Sequence, residues 1–217
     1  MNSINYDRIN TGSKQFRAFV MIHGWQGNKD SFKSISNLLN LDNTAWFFPE
    51  APYDFNGDNK KKTWAYEKKP GVWEVEEPRL MLKSFLINKV LSEFDSKNVF
   101  VMGFSQGAAV CYELILSFEY PLGGIFPIAG FVRDFIGNKD TTNLDVSPKQ
   151  IDTKILIGHG KDDDVVPVES SEKTFSLLKA KCRNVELDIY NGKHKINVSY
   201  LNKVKKIILN YDTAKEG

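Results

Sequence analysis

The 217-residue chain predicts an α/β fold: a mostly parallel central sheet with helices on both faces and no large separate cap domain. Two observations carry this. Short apolar runs that read as buried strands alternate with stretches whose apolar residues recur at helical spacing. The order strand, helix, strand also repeats along the whole chain, with no internal repeat and no linker, so residues 1–217 read as one domain.

The elements follow in order. Phe16 to Ile22 is an apolar run ending at His23-Gly24, and reads as a buried strand. Asp30 offers an N-cap to a helix with Phe32, Ile35, Leu38 and Leu39 at helical spacing. Thr44 to Phe48 is a second strand, closed by Pro49. Pro52 to Gly71 has no clear periodicity, is rich in Asn, Asp, Gly and Lys, and reads as a long surface loop. Pro78 suits a first helical turn, with Glu76 and Glu77 at its positive end and Leu82, Phe85, Leu86, Lys89, Val90 and Phe94 following.

Asn98 to Met102 is a third strand, and Ser105 to Phe118 an almost wholly apolar, hence buried, helix. Leu122 to Ile128 is a fourth strand and Phe131 to Ile151 irregular. Lys154 to Ile157 is a fifth strand, ending at Gly158-His159-Gly160. Val168 to Lys181 is a helix and Val185 to Tyr190 the sixth strand. A helix over Ile196 to Tyr211 closes the chain, with Leu201, Val204, Ile208 and Tyr211 on its buried side and Lys203, Lys205 and Lys206 on its wet face.

Composition excludes several classes. Apolar residues make up 41% and charged residues 26%, and the net charge is only +2, so neither a nucleic-acid partner nor an acidic-substrate trap is expected. Cys111 and Cys182 do not make a disulfide framework, and Cys111 within an apolar helix is no rival nucleophile. Met1 to Lys14 does not read as a signal peptide and no apolar run approaches membrane-spanning length. The expectation is a cytoplasmic protein without stable membrane insertion; a homodimer is left open.

Gly103-Phe104-Ser105-Gln106-Gly107 matches G-x-S-x-G. Chemistry needs this pattern where a strand turns abruptly into a helix and leaves a serine oxygen exposed on a tight turn. Val99 to Met102 supplies the strand and Ala108-Ala109-Val110 the helix, so Ser105 is the expected nucleophile of an α/β-hydrolase fold. A serine needs a base. In the chain order serine, acid, histidine of such folds, His194 leaves room for a strand-end acid, and Asp162-Asp163-Asp164 supplies the acid candidates. The backbone N–H groups of Gln106 and Trp25 are the expected oxyanion donors. His23 is read as a structural histidine of the Trp25 loop.

These residues resemble the phospholipase/carboxylesterase family, which includes the acyl-protein thioesterases. The matching pieces are His23-Gly24-Trp25, Ala51-Pro52, Gly103 to Ala109, and His159-Gly160-Lys161-Asp162-Asp163-Asp164-Val165-Val166-Pro167. The last is similar to H-G-x-x-D-x-x-V-P, which selects Asp163 as the acid. Thr63-Trp64-Ala65-Tyr66 is similar to the family's Ser-Trp-aromatic segment. The Gly-Lys-His loop around the base is shorter by one residue than in the acyl-protein thioesterases, and Tyr53 to Val75 is not a close match.

The resemblance implies a Ser105–Asp163–His194 triad that hydrolyses carboxylic esters or thioesters, with no metal or organic cofactor. The expected partner is a small-molecule or lipid-like acyl ester. Among the loop aromatics Trp25, Phe55, Trp64, Tyr66, Trp73, Phe131 and Phe135, the candidates for the substrate pocket are Trp64, Tyr66, Trp73 and Phe131, and about half of the set should be anchors packed on the core. Lys60-Lys61-Lys62, with Lys68 and Lys69, reads as a solvated loop. Two rival classes are a metal-dependent hydrolase using His159, the aspartates and His194, and a non-catalytic binding protein on a hydrolase scaffold.

Overall fold

The computed structural model describes residues 3–70, 72–132 and 144–216. Its centre is a seven-stranded sheet. The strands are β1 (Tyr6–Thr11), β2 (Arg17–Ile22), β3 (Thr44–Pro49), β8 (Val99–Phe104), β9 (Gly124–Ile128), β10 (Lys154–Gly160) and β11 (Val185–Tyr190). Their spatial order is β1-β3-β2-β8-β9-β10-β11, and every neighbouring pair is parallel except the antiparallel β1–β3 edge.

The central strands are buried on both faces, which is why they read as continuous apolar runs. Along β2, Ala18, Val20 and Ile22 point into one core and Phe19 and Met21 into the other. The first core is closed by α2 (Glu76–Phe85), α3 (Gln106–Val110) and α4 (Val168–Lys179). The second is closed by α1 (Lys33–Leu39) and α5 (Val198–Glu216), whose Leu201, Val204 and Ile208 are fully buried. Helices α2 and α3 each run on into one wider, π-type turn, at Leu86–Val90 and Cys111–Ile115.

The sequence expectation and the structure differ in three places. The stretch read as a long surface loop, Pro52 to Gly71, instead contributes paired strands: β4 (Tyr53–Phe55) with β5 (Asp58–Thr63), and β6 (Tyr66–Lys69) with β7 (Val72–Glu74). Their strands face water, so they show no apolar alternation. The first turn is nonetheless written in Asn56-Gly57, both at positive φ (49° and 76°), as such a hairpin turn requires. The first helix begins at Lys33 with Phe32, not Asp30, at its cap, and Leu38 faces solvent. The polar N-terminus supplies an edge strand, β1, that pairs through its backbone. Among the described residues no helix is long and apolar enough to cross a membrane.

Candidate active site

The chain runs from β2 to β3 on one side and later returns to β8 on the other, so the strand order reverses between β2 and β8. Ile22 pairs with Gly103 there, so the loops after β2 and β8 leave the sheet side by side at its carboxyl end. Ser105 heads the second of these loops. Its backbone takes φ 53° and ψ −114°, a corner that L-residues rarely occupy. The turn is held by the Ser105 N–H donating to the Ile128 carbonyl at 2.8 Å, and by its own carbonyl accepting from Ala108 and Ala109 at 3.0 Å. The flanking glycines are steric necessities. A Cβ on Gly103 would lie 2.2 Å from the Gly107 carbonyl oxygen, and one on Gly107 would lie 2.2 Å from that of Ile22.

Asp163 and His194 come together at the ends of β10 and β11. His194 Nδ1 donates to Asp163 Oδ2 at 2.7 Å. The other carboxylate oxygen accepts the backbone N–H groups of Val165 and Val166, each at 2.9 Å. Burial pushes the Asp163 carboxyl up, but the Val166 N–H, the His194 ring and the Val165 N–H together outweigh it and hold it below the usual carboxylate range. The His194 ring packs on Phe104, the residue before Ser105, with centroids 4.7 Å apart.

The His194 loop is clamped to the end of β10. Lys161 N–H donates to the Tyr190 carbonyl at 2.8 Å, Asp162 N–H to that of Gly192 at 3.0 Å, and the Tyr190 hydroxyl to that of Lys195 at 2.7 Å. Gly160 permits the approach, since a Cβ there would meet the Lys193 carbonyl oxygen at 2.3 Å. Asp164 pairs with Lys193 at the rim. Sequence neighbours therefore divide the work: Asp163 faces inward to His194, Asp164 outward.

The Trp25 loop lies against the elbow. A Cβ on Gly24 would be 3.1 Å from the Phe104 carbonyl oxygen and 3.3 Å from Ser105 Cβ. His23 fixes this loop from beneath: its Nδ1–H donates to the Gly24 carbonyl at 2.7 Å and its Nε2 accepts from Ala51 N–H at 3.0 Å. Burial lowers its pKa to about 4, so the ring is neutral. Among the described residues, the backbone N–H groups of Trp25 and Gln106 donate to no protein acceptor.

The Gln106 side chain has a task that sequence reasoning missed. It accepts from Trp64 N–H at 2.9 Å and donates to the Thr63 hydroxyl at 2.9 Å, tying the end of the first hairpin to the elbow. Of the pocket candidates, Trp64 is buried in the core beside His23, its indole N–H bonded to the His23 carbonyl at 2.9 Å. Tyr66 and Trp73 are exposed on the second hairpin, Tyr66 edge-on to Tyr53. Phe131 is half-buried after β9. Trp25 is exposed and edge-on to the half-buried Phe55 at 4.9 Å. Phe135 lies outside the described residues. The structure thus puts Ser105, Asp163, His194, Trp25 and Gln106 at one end of the sheet, but does not gather the four pocket candidates into one lining.

Comparison with known proteins follows this geometry. The phospholipase/carboxylesterase family model matches residues 5–211. Acyl-protein thioesterase 1 of Candida albicans is 28% identical, over 92% of this chain and 94% of that protein. Carboxylesterase SOBER1 of Arabidopsis thaliana is 27% identical, over 81% of this chain and 82% of its own length. Among solved structures, esterase PE8 superposes with a TM-score of 0.81 at 20% identity, covering 97% of this chain and 100% of its own. Acyl-protein thioesterase 2 of Zea mays gives 0.74 at 20% identity, covering 95% and 98%. At these identities the superpositions speak for the α/β-hydrolase fold alone.

Proposed function

The chain belongs to the phospholipase/carboxylesterase family, and on that premise we propose a serine hydrolase that cleaves carboxylic esters or thioesters through an acyl-enzyme on Ser105. The observation that carries this reading is the Asp163–His194 hydrogen bond of 2.7 Å, with the His194 ring packed on the residue preceding the strained Ser105. In the mechanism, Ser105 Oγ attacks the acyl carbonyl and passes its proton to His194 Nε2. Asp163 holds the Nδ1–H tautomer and stabilises the imidazolium. The tetrahedral oxyanion is met by the N–H groups of Gln106 and Trp25. His194 then protonates the leaving alcohol or thiol, and a water activated by the same ring hydrolyses the acyl-serine.

The names of the relatives point to acyl esters and thioesters as the substrate class. Exposed Trp25, Tyr66 and Trp73 are available for an acyl chain, and the half-buried Phe131 after β9 is a further candidate. Both cysteines are free and buried, which supports a reducing compartment, the cytoplasm. A fluorophosphonate probe should label the wild type and leave Ser105→Ala unlabelled; equal labelling of both removes Ser105 as nucleophile. Hydrolysis rate against acyl length, for matched oxygen esters and thioesters, then defines the substrate.

A further inference from the structure

His159 is fully buried in β10, and neither of its ring nitrogens is idle. Nε2 lies 2.9 Å from the Val166 carbonyl oxygen and 3.3 Å from Asp163 Oδ2. Nδ1 lies 2.6 Å from the Ser171 hydroxyl, itself fully buried on α4. A carbonyl oxygen only accepts, so the proton sits on Nε2 and Nδ1 accepts from Ser171. The Nε2–H donates to the Val166 carbonyl, and the same nitrogen lies 3.3 Å from Asp163 Oδ2. Asp163 Oδ2 thus lies between two imidazoles, hydrogen-bonded to His194 on one side and in 3.3 Å contact with His159 Nε2 on the other.

We propose that His159 is a positioning residue of the hydrolytic reaction, set by Ser171 to donate to Asp163 and so to fix both the orientation of that carboxylate and the charge it presents to His194. The proposal rests on the reading of Asp163 and His194 given above. Its physical content is competition for one oxygen. Each N–H that Oδ2 accepts withdraws part of its charge, so losing the His159 donor leaves more charge for His194 and stabilises the imidazolium. The Val165 and Val166 N–H groups hold the other oxygen, Oδ1. The remaining titratable groups around the cluster are Tyr190 at the end of β11, the paired Asp164 and Lys193, Asp162, Lys161 and Lys195 on the adjoining loops, and Tyr112 and Tyr200 in the flanking cores. None of them is changed by the test.

Two substitutions separate positioning from space-filling. In His159→Gln the amide nitrogen overlays Nε2 and keeps a donor to Asp163. In His159→Asn it overlays Nδ1, keeps a partner for Ser171 and loses the donor. The readout is kcat/KM against pH on one ester, with fluorophosphonate labelling as the control for Ser105. His159→Asn should raise the midpoint of the ascending limb by about half a pH unit and lower kcat roughly tenfold. His159→Gln should stay within about twofold of the wild type with its limb unmoved. Equal losses in the two variants, or an unmoved limb in His159→Asn, overturn the proposal while leaving the nucleophile reading intact. Labelling that survives Ser105→Ala overturns that reading instead.

Discussion

The strain at Ser105 can be measured, because two variants that both lack the hydroxyl differ in whether it is relieved. Ser105→Ala keeps the Cβ and hence the conflict at φ 53°, ψ −114°; Ser105→Gly removes it. Residues held in such corners cost about 1–3 kcal/mol. Glycine gives back about 0.5–1 kcal/mol through the freedom it adds to the unfolded chain. The balance favours Ser105→Gly over Ser105→Ala by about 1 kcal/mol, which for a chain of this length corresponds to roughly 2–4 °C in Tm. The backbone bonds that hold the turn, from Ser105 N–H to Ile128 and from Ala108 and Ala109 to Ser105, involve no side chain and are common to both variants. Thermal unfolding of the two, side by side, gives the answer. A glycine variant no more stable than the alanine variant would show that the turn is unstrained, and the argument that the fold holds this serine at a cost would fail.

Two further predictions concern residues beside the elbow. His23 has a pKa lowered by burial from 6.5 to about 4, so the unfolded chain binds a proton between these values that the folded chain does not. Stability should therefore fall as the pH drops from 6.5 toward 4, by up to about 3 kcal/mol from this group; in His23→Gln that portion is missing, and a Tm difference from wild type that stays flat from pH 7.5 to 4.5 contradicts it. Gln106→Ala leaves the Trp64 N–H without its acceptor and removes the Gln106 donor from the Thr63 hydroxyl, which keeps its bond to the Ala65 carbonyl, at about 1–3 kcal/mol in a urea titration. Turnover of a short ester should fall far less than in Ser105→Ala, because the Gln106 backbone N–H remains; loss of stability below about 0.5 kcal/mol would show that the tie does not hold the hairpin.

How far the sequence could be read depended on where each residue's partners lie. The buried strands were legible because burial on both faces leaves no choice but an apolar run, as in Arg17–Ile22 and Thr44–Pro49. The elbow was legible because its constraint is local: Gly103 and Gly107 collide with backbone within a few residues or in the adjacent strand end. The two hairpins were not, because Asp58–Thr63 and Tyr66–Lys69 lie outside the core and their stability comes from backbone pairing that side-chain polarity does not report. Only Asn56-Gly57 announced a turn. Trp64 looked like a pocket residue because it is aromatic and in a loop; its burial depends on a carbonyl 41 positions away. His159 is hidden for the same reason, since its partners Val166 and Ser171 come from beyond the strand that carries it.

That division has a consequence for specificity. The groups proposed to carry the chemistry project from β8, β10 and β11, whose sides are packed into both cores, so they cannot shift without the sheet. Among the described residues, the hairpins carrying Tyr53, Phe55, Tyr66 and Trp73 meet this frame through the Gly27–Lys62 bridge, the Asn28–Lys60 hydrogen bond, the Trp25–Phe55 ring contact, the ties of Gln106 and His23 to Thr63 and Trp64, and the Tyr53–Glu77 hydrogen bond of 2.6 Å. Side chains on these hairpins can therefore be exchanged at little cost to the fold, while a single methyl on Gly107 cannot be accommodated. The resemblance to the family weakens over Tyr53 to Val75, where such exchange is cheap, and is strong at Gly103 to Ala109 and His159 to Pro167, where it is not. A difference in preferred acyl group from the relatives should accordingly map to residues 53–75, and grafting that segment from a relative should transfer acyl preference while leaving the Ser105-dependent step in place.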